Sequence, residues 1–188
     1  MEKKDLLNID FLRKNNIRMY YFGLGFIQVV LDKDNRVHFY SEKFNVNPTI
    51  EGLHNHRYNF ASTILKGHFL ESRAKLVLDN THILNNVNCG TGKELLYNPK
   101  IEVGIEYIKM PNGYLSMDYY EGDKYNVFYN EFHEVSFRGN TITHLTRSDV
   151  ITDFAQVIHE KGRELVCPFA IKYPDAELWE IIEDVIKN

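Results

Sequence analysis

Short runs of aromatic and β-branched residues, each closed by a turn signal, recur along the chain and leave room for few helices. Ile17–Leu31 carries Met-Tyr-Tyr-Phe and Phe-Ile-Gln-Val-Val around Gly23 and Gly25, and the glycines predict a bulge or a close backbone approach. Asp32-Lys-Asp-Asn35 reads as a turn, and Arg36-Val-His-Phe-Tyr-Ser as the returning strand of a hairpin. Ile101–Lys109 alternates, turns at Pro111-Asn-Gly113, and resumes from Tyr114. This pattern predicts an all-β fold, a barrel or a sandwich. Helical spacing is confined to the ends: Leu6, Ile9 and Leu12 predict one helix within residues 1–16. Leu178, Ile181, Ile182 and Val185 behind Pro174 predict a closing helix over 174–187. Strands then fill 17–172, with the polar stretch Asp79–Pro99 read as a long loop. The 188 residues, without repeats or linkers, are expected to form one domain.

Composition removes several function classes. A net charge of -4 argues against a dedicated nucleic-acid binder. No run approaches a membrane span or a secretory leader, so a cytoplasmic location is expected. The two cysteines, Cys89 and Cys167, build no disulfide framework and no CxxC zinc pair. Cys89-Gly-Thr-Gly-Lys93 lacks the leading glycine of a phosphate loop, with Val87 in its place. The 12 Tyr and 12 Phe suit half-buried strands around a lined cavity.

The chemistry concentrates in Glu51-Gly-Leu-His54-Asn-His56-Arg-Tyr-Asn-Phe60, followed by an apolar run that closes on Gly67. In an extended strand, residues two apart share a face, so His54 and His56 project together. A later stretch, from Gly122 to Phe137, offers His133 as a third imidazole. Three neutral imidazoles facing one point bind Fe(II), Zn, Ni, Co or Mn and leave positions open for other ligands. Each should donate its second ring nitrogen to a carbonyl or carboxylate.

These spacings resemble the two motifs of the cupin superfamily, small jelly-roll β-barrels. The first motif reads Gly-x5-His-x-His-x3-Glu-x6-Gly, and His54, His56 and Gly67 fall in its register. The second reads Gly-x5-Pro-x-Gly-x2-His-x3-Asn, matched by Gly122 and His133. Pro48, Phe60, Phe128, Asn130 and Phe137 depart from these patterns, and Phe60 stands where the carboxylate ligand belongs. Loss of that glutamate is similar to the three-histidine thiol dioxygenases. The likeness covers roughly residues 50 to 150. It implies a single-domain jelly-roll β-barrel and a divalent metal, Fe(II) first, on His54, His56 and His133. It also implies dioxygenase chemistry on a small anionic substrate and a possible homodimer. Other readings of such a fold are a non-redox isomerase or lyase, and a barrel that only binds a metabolite.

Around this centre, Glu71 is a candidate fourth ligand or general base, and Tyr58 shares the histidines' parity and lines the cavity with Ser62. Arg57 has the opposite parity. Arg73, Arg138 and Arg147 are candidates to clamp a carboxylate or phosphate, and His144 to contact substrate. No nucleic-acid or membrane partner is expected.

Overall fold

The computed structural model describes residues 1–44, 52–87, 101–163 and 171–188. Pro48, Cys89, the Gly90–Lys93 loop and Cys167 lie outside the described residues. Where the spacing predicts a single N-terminal helix there are two, α1 (Lys3–Leu6) and α2 (Ile9–Asn15). The break falls at Asn8, whose side chain accepts a hydrogen bond from the Phe11 N–H at 3.0 Å. Asparagine serves a helix better as a cap than inside it.

Next comes an antiparallel meander of β1 (Arg18–Phe22), β2 (Phe26–Val30) and β3 (Asn35–Tyr40). Gly23 and Gly25 lie in the turn between β1 and β2 rather than in a bulged strand, and Gly25 takes φ 89° there. Asp32 forms the next turn, its carboxylate accepting from the Asp34 and Asn35 N–H groups at 2.8 and 2.7 Å.

The remaining strands gather on one long element, β4 (Phe60–Val87). They are β5 (Ile101–Tyr107), β6 (Ser116–Tyr120), β7 (Lys124–Val127), β8 (Phe132–Arg147) and β9 (Ala155–Glu160). All five pair with β4 antiparallel. The sheet path runs β1-β2-β3-β8-β4-β5, so among the described residues it is one large antiparallel sheet that does not close into a barrel. Register shifts between Ile64 and His68 and between Val77 and His82 bend β4. Successive stretches of it therefore meet β7, β6 and β5 along one edge, and β8 then β9 along the other.

The strand continues through Asp79–Val87, where the polar composition predicts a loop. Residues 78–81 form an exposed bulge, beyond which Leu84, Asn85 and Val87 are buried again. Gly104 lets β5 pass this bulge: a Cβ there would lie 2.4 Å from Asp79 Cβ.

Gly67, the glycine that closes the histidine motif, sits at the first irregularity of β4 with φ +86°. A Cβ at this position would stand 2.5 Å from the Asn140 carbonyl oxygen and 2.9 Å from Thr141 Cα, both on β8. Gly67→Ala therefore combines a left-handed alanine with a backbone clash. It should cost about 2–4 kcal/mol, read as a lowered urea midpoint with unchanged m-value.

The C-terminal α3 (Asp175–Lys187) buries Leu178, Ile181, Ile182 and Val185 as predicted. They pack against α1, α2 and the β1–β3 meander in one apolar core. Lys66, beside that glycine, reaches across to the helix end, its ammonium donating to the Val185 and Ile186 carbonyls at 3.0 and 2.9 Å. A cation on carbonyls that lack intrahelical partners is the favourable polarity. A second core is aromatic and includes Phe26, Tyr40, Phe60, Phe69 and Tyr125. A third gathers Leu53, Ala74, Leu84, Val103, Phe132 and Ile158. No helix among the described residues is long and apolar enough to cross a membrane.

Candidate metal centre

The segment 53–55 is wedged between β8 and β9, consecutive strands that do not pair with each other among the described residues. His54 exchanges backbone hydrogen bonds with His133 of β8 at 3.0 and 2.9 Å, and it bridges Val157 of β9 on the other side. That pairing sets His54 and His133 side by side, and the two-residue period of an extended chain adds His56 on the same face. The three rings meet at centroid separations of 4.7 to 5.1 Å. Their ligand nitrogens all lie within 4.8 Å of one another, which makes them a group able to hold a metal ion.

The finer geometry fits that use. His56 Nε2 and His133 Nε2 are 2.9 Å apart. That is in the range of two ligand atoms on one metal ion, each about 2.1 Å from it. His54 Nδ1 lies 2.6 Å from the Gly52 carbonyl. A carbonyl only accepts, so Nδ1 carries the proton and Nε2 is left as the ligand. Behind His133, Glu71 Oε1 lies 3.3 Å from Nδ1, though off the line of a good hydrogen bond. A carbonyl and a carboxylate accordingly back two of the three rings.

Phe60 packs against the histidine cluster. It is buried, with its ring edge-on to His56 at 4.8 Å and 5.7 Å from His133. The fourth side of the centre is hydrocarbon.

Glu71 is fully buried. It stands on the Nδ1 side of His133, away from the three converging rings. Arg73 holds it, with Nε 3.2 Å from Oε1 and Nη2 3.3 Å from Oε2. The same guanidinium donates through Nη1 to both Glu131 oxygens at 3.1 Å and through Nη2 to the Asn126 carbonyl at 2.6 Å. These contacts engage every N–H that an arginine has, so in this arrangement Arg73 has none left for a substrate. Tyr119 adds its hydroxyl to Glu71 at 3.3 Å. Burial first, and then the Glu71 charge, push that phenol up to about 12.

Tyr58 follows the histidines as its parity predicts, 5.6 Å from His56. Two guanidiniums flank its ring, Arg36 at 5.1 Å and Arg147 at 5.0 Å. Arg36 Nη1 donates to the Tyr58 hydroxyl at 2.5 Å, while Arg36 Nε is buried without a hydrogen-bond partner among the described residues. Arg147 Nε donates to the Lys33 carbonyl at 2.7 Å. Arg138 is exposed on β8 opposite His68, and Arg57 turns away to the Asp153 carbonyl. His144 Nε2 donates to Asn35 Oδ1, 3.0 Å away. Ser62 is buried and lies beside Tyr125 in the aromatic core.

Arg36 and His38 are absent from the sequence reading of the site. Both lie on β3, whose place beside β8 is a matter of long-range pairing. His38 is buried against Gln28, 3.0 Å from its Oε1.

Burial, more than any neighbouring charge, keeps His38, His54 and His56 neutral. It pushes His54 down to about 3, helped by His133 and opposed by the Gly52 hydrogen bond. It pushes His38 down to about 3 as well, helped by Arg36 and His144. His56 also falls well below its ordinary value, first through burial and then through the other two ligands. An unfolded histidine protonates near 6.5, so between about 6.5 and 3 the unfolded chain binds more protons than the native one. Metal-free protein should therefore lose stability as pH falls through that window, by about 1.4 kcal/mol per pH unit for each such ring. Urea midpoints measured from pH 7 to pH 4 test this.

No protein-family model matches the chain, and no curated protein is significantly similar to it.

Proposed function

We propose that the chain is a cupin-type jelly roll and a metal-dependent enzyme of the dioxygenase class, acting on a small anionic substrate. The observation that carries this reading is the convergence of His54, His56 and His133 with no carboxylate among them. The family likeness of the two histidine motifs and the antiparallel pairing of β4 with β8 between them support the fold. Fe(II) at the three Nε2 atoms would supply open coordination positions and the redox capacity for dioxygen chemistry.

The chain's own groups would do the rest. Neutral imidazoles leave the metal charge uncompensated, which favours an anion at the open positions. Phe60 keeps water from one side and strengthens electrostatic interactions within the centre. Glu71 orients His133 rather than moving a substrate proton. The substrate's charged end would meet Arg36 and Arg147 across Tyr58, with His144 on the neighbouring strand. Neither guanidinium forms an ion pair among the described residues. The buried Nε of Arg36 is a donor in need of an acceptor. A pair of copies joined through a free sheet edge, at β1 or β5, is the assembly the family likeness suggests.

Oxygen uptake by anaerobically Fe(II)-loaded protein, given small thiol acids and 2-oxo acids in turn, is the test. Uptake with one of them is expected. Arg36→Met should raise KM by about tenfold or more at unchanged iron content, the loss of a charge-assisted contact. Metal-dependent turnover without oxygen would transfer the site to Lewis-acid isomerase or lyase chemistry.

A further inference from the structure

Asn55 lies between the two motif histidines and points the other way, and the surface behind it is built as carefully as the metal face. A cavity of about 140 Å³ opens there, lined by Asn55, Tyr129, Asn130, Thr152, Phe154 and Gln156. By the room a single water needs, it has space for roughly ten, the size of a substituted six-membered ring.

Its floor is a ladder of amides. The Gln156 N–H donates to Asn55 Oδ1 at 2.6 Å, and Asn55 Nδ2 donates to Gln156 Oε1 at 3.0 Å. Gln156 Nε2 continues to Asn86 Oδ1 at 3.1 Å. Because a backbone N–H fixes which end of Asn55 is oxygen, the orientation of the whole ladder is determined. Each of the two floor amides then keeps one N–H and one lone pair uncommitted. Thr152, whose hydroxyl donates to the Phe154 carbonyl at 2.9 Å, retains its lone pairs. Preset donors and acceptors on locked side chains are what a ligand bearing several hydroxyls requires, since little rotamer entropy is lost on binding.

The walls are aromatic. Tyr129 and Phe154 remain 36% and 42% exposed, large for apolar rings beside a polar floor. Rings of this kind present an apolar face while neighbouring groups make hydrogen bonds. No charged side chain lines the cavity, so neither a phosphate nor a carboxylate has a counter-charge there.

We infer that the cavity on the far side of the histidine segment is a binding site for a neutral sugar ring, its C–H face on Phe154 or Tyr129 and its hydroxyls on Asn55 and Gln156. A planar base would stack on the same rings, but it reads its partners along one edge. Here the polar groups are spread over a floor. The site is independent of the metal, and its occupant would touch the residue that joins the two ligands.

Saturation-transfer NMR with metal-free and metal-loaded protein tests this, using the methyl glycosides of glucose, galactose, mannose and N-acetylglucosamine as probes, with adenosine and uridine alongside. At least one glycoside should receive saturation on its ring protons. Phe154→Ala and Gln156→Ala should each weaken that binding by about tenfold, as expected for an anchor in a small site. Both residues are partly exposed, so thermal melts should verify an intact fold. Absence of transfer to every glycoside overturns the proposal. So does preference for the nucleosides, or glycoside binding that both variants retain.

Discussion

His56→Ala should lower the affinity for Co(II) or Zn(II) by more than about a hundredfold and abolish stoichiometric metal, while the protein stays folded. An outer partner of a metal ligand is already worth roughly 10–100-fold, and a ligand is worth more. The fold should tolerate the change. His56 is only half-buried, and its neutral ring gives up one hydrogen bond to His133, a loss of about 1 kcal/mol. His133→Ala should lose metal equally but at greater cost to stability, because that ring is 3% exposed and packs between Phe60 and Glu71. Co(II) absorption titrations, with circular dichroism as the control, separate the two. Unchanged affinity in the His56 variant would remove the ligand set and the enzyme reading with it.

The largest loss of stability should come from Arg73→Met. Its guanidinium is the only cation hydrogen-bonded to the fully buried Glu71 among the described residues, and removing it strands a carboxylate where water does not reach. Breaking such a pair costs about 3–5 kcal/mol, most of it the penalty of the abandoned charge. In a chain of this size that is a fall in Tm on the order of 10 °C. Glu71→Gln should be milder, since an amide can still meet Tyr119 and Arg73. Combining it with Arg73→Met should recover much of the loss, because the stranded charge is gone. Glu71→Gln carries a second readout. It replaces the anion behind His133 and should weaken metal binding by about 10–100-fold at modest cost in stability. A Glu71 that served only the sheet would leave metal affinity alone.

The two-residue period was enough to place His54, His56 and Tyr58 on one face, whereas His133 entered through the resemblance of its interval from Gly122 to the second family motif. The shared face of the first three is a local fact about an extended chain and survives any arrangement of the strands; the meeting with His133 requires the bridge from His54 to β8. Arg36 and His38 were out of reach because their position depends on β3 lying against β8, a contact between residues about a hundred positions apart. The partners of Glu71 were out of reach for a related reason. Alternation assigns a face but not a depth, and Glu71 is buried where Arg73 and Tyr119 converge on it. The run Asp79–Val87 resembled a loop because Asn85 and Asn86 read as loop residues, whereas both pair with β9 and Asn85 is buried in the sheet.

The long strand β4 also has a bearing on biosynthesis. Every strand that pairs with Phe60–Val87 follows it in the chain, from Ile101 to Glu160. During translation this strand emerges before these partners exist: the edge that takes β5, β6 and β7 is supplied by Val127, whereas the edge that takes β8 and β9 is complete only at Glu160, several seconds later at ordinary elongation rates. A long unpaired strand is a template for the wrong neighbour. The exposed bulge at 78–81 and the kinks at Gly67 and beyond interrupt its flatness. The features that bend the finished sheet around the histidines are the same ones that would keep two nascent chains from zipping together on the ribosome.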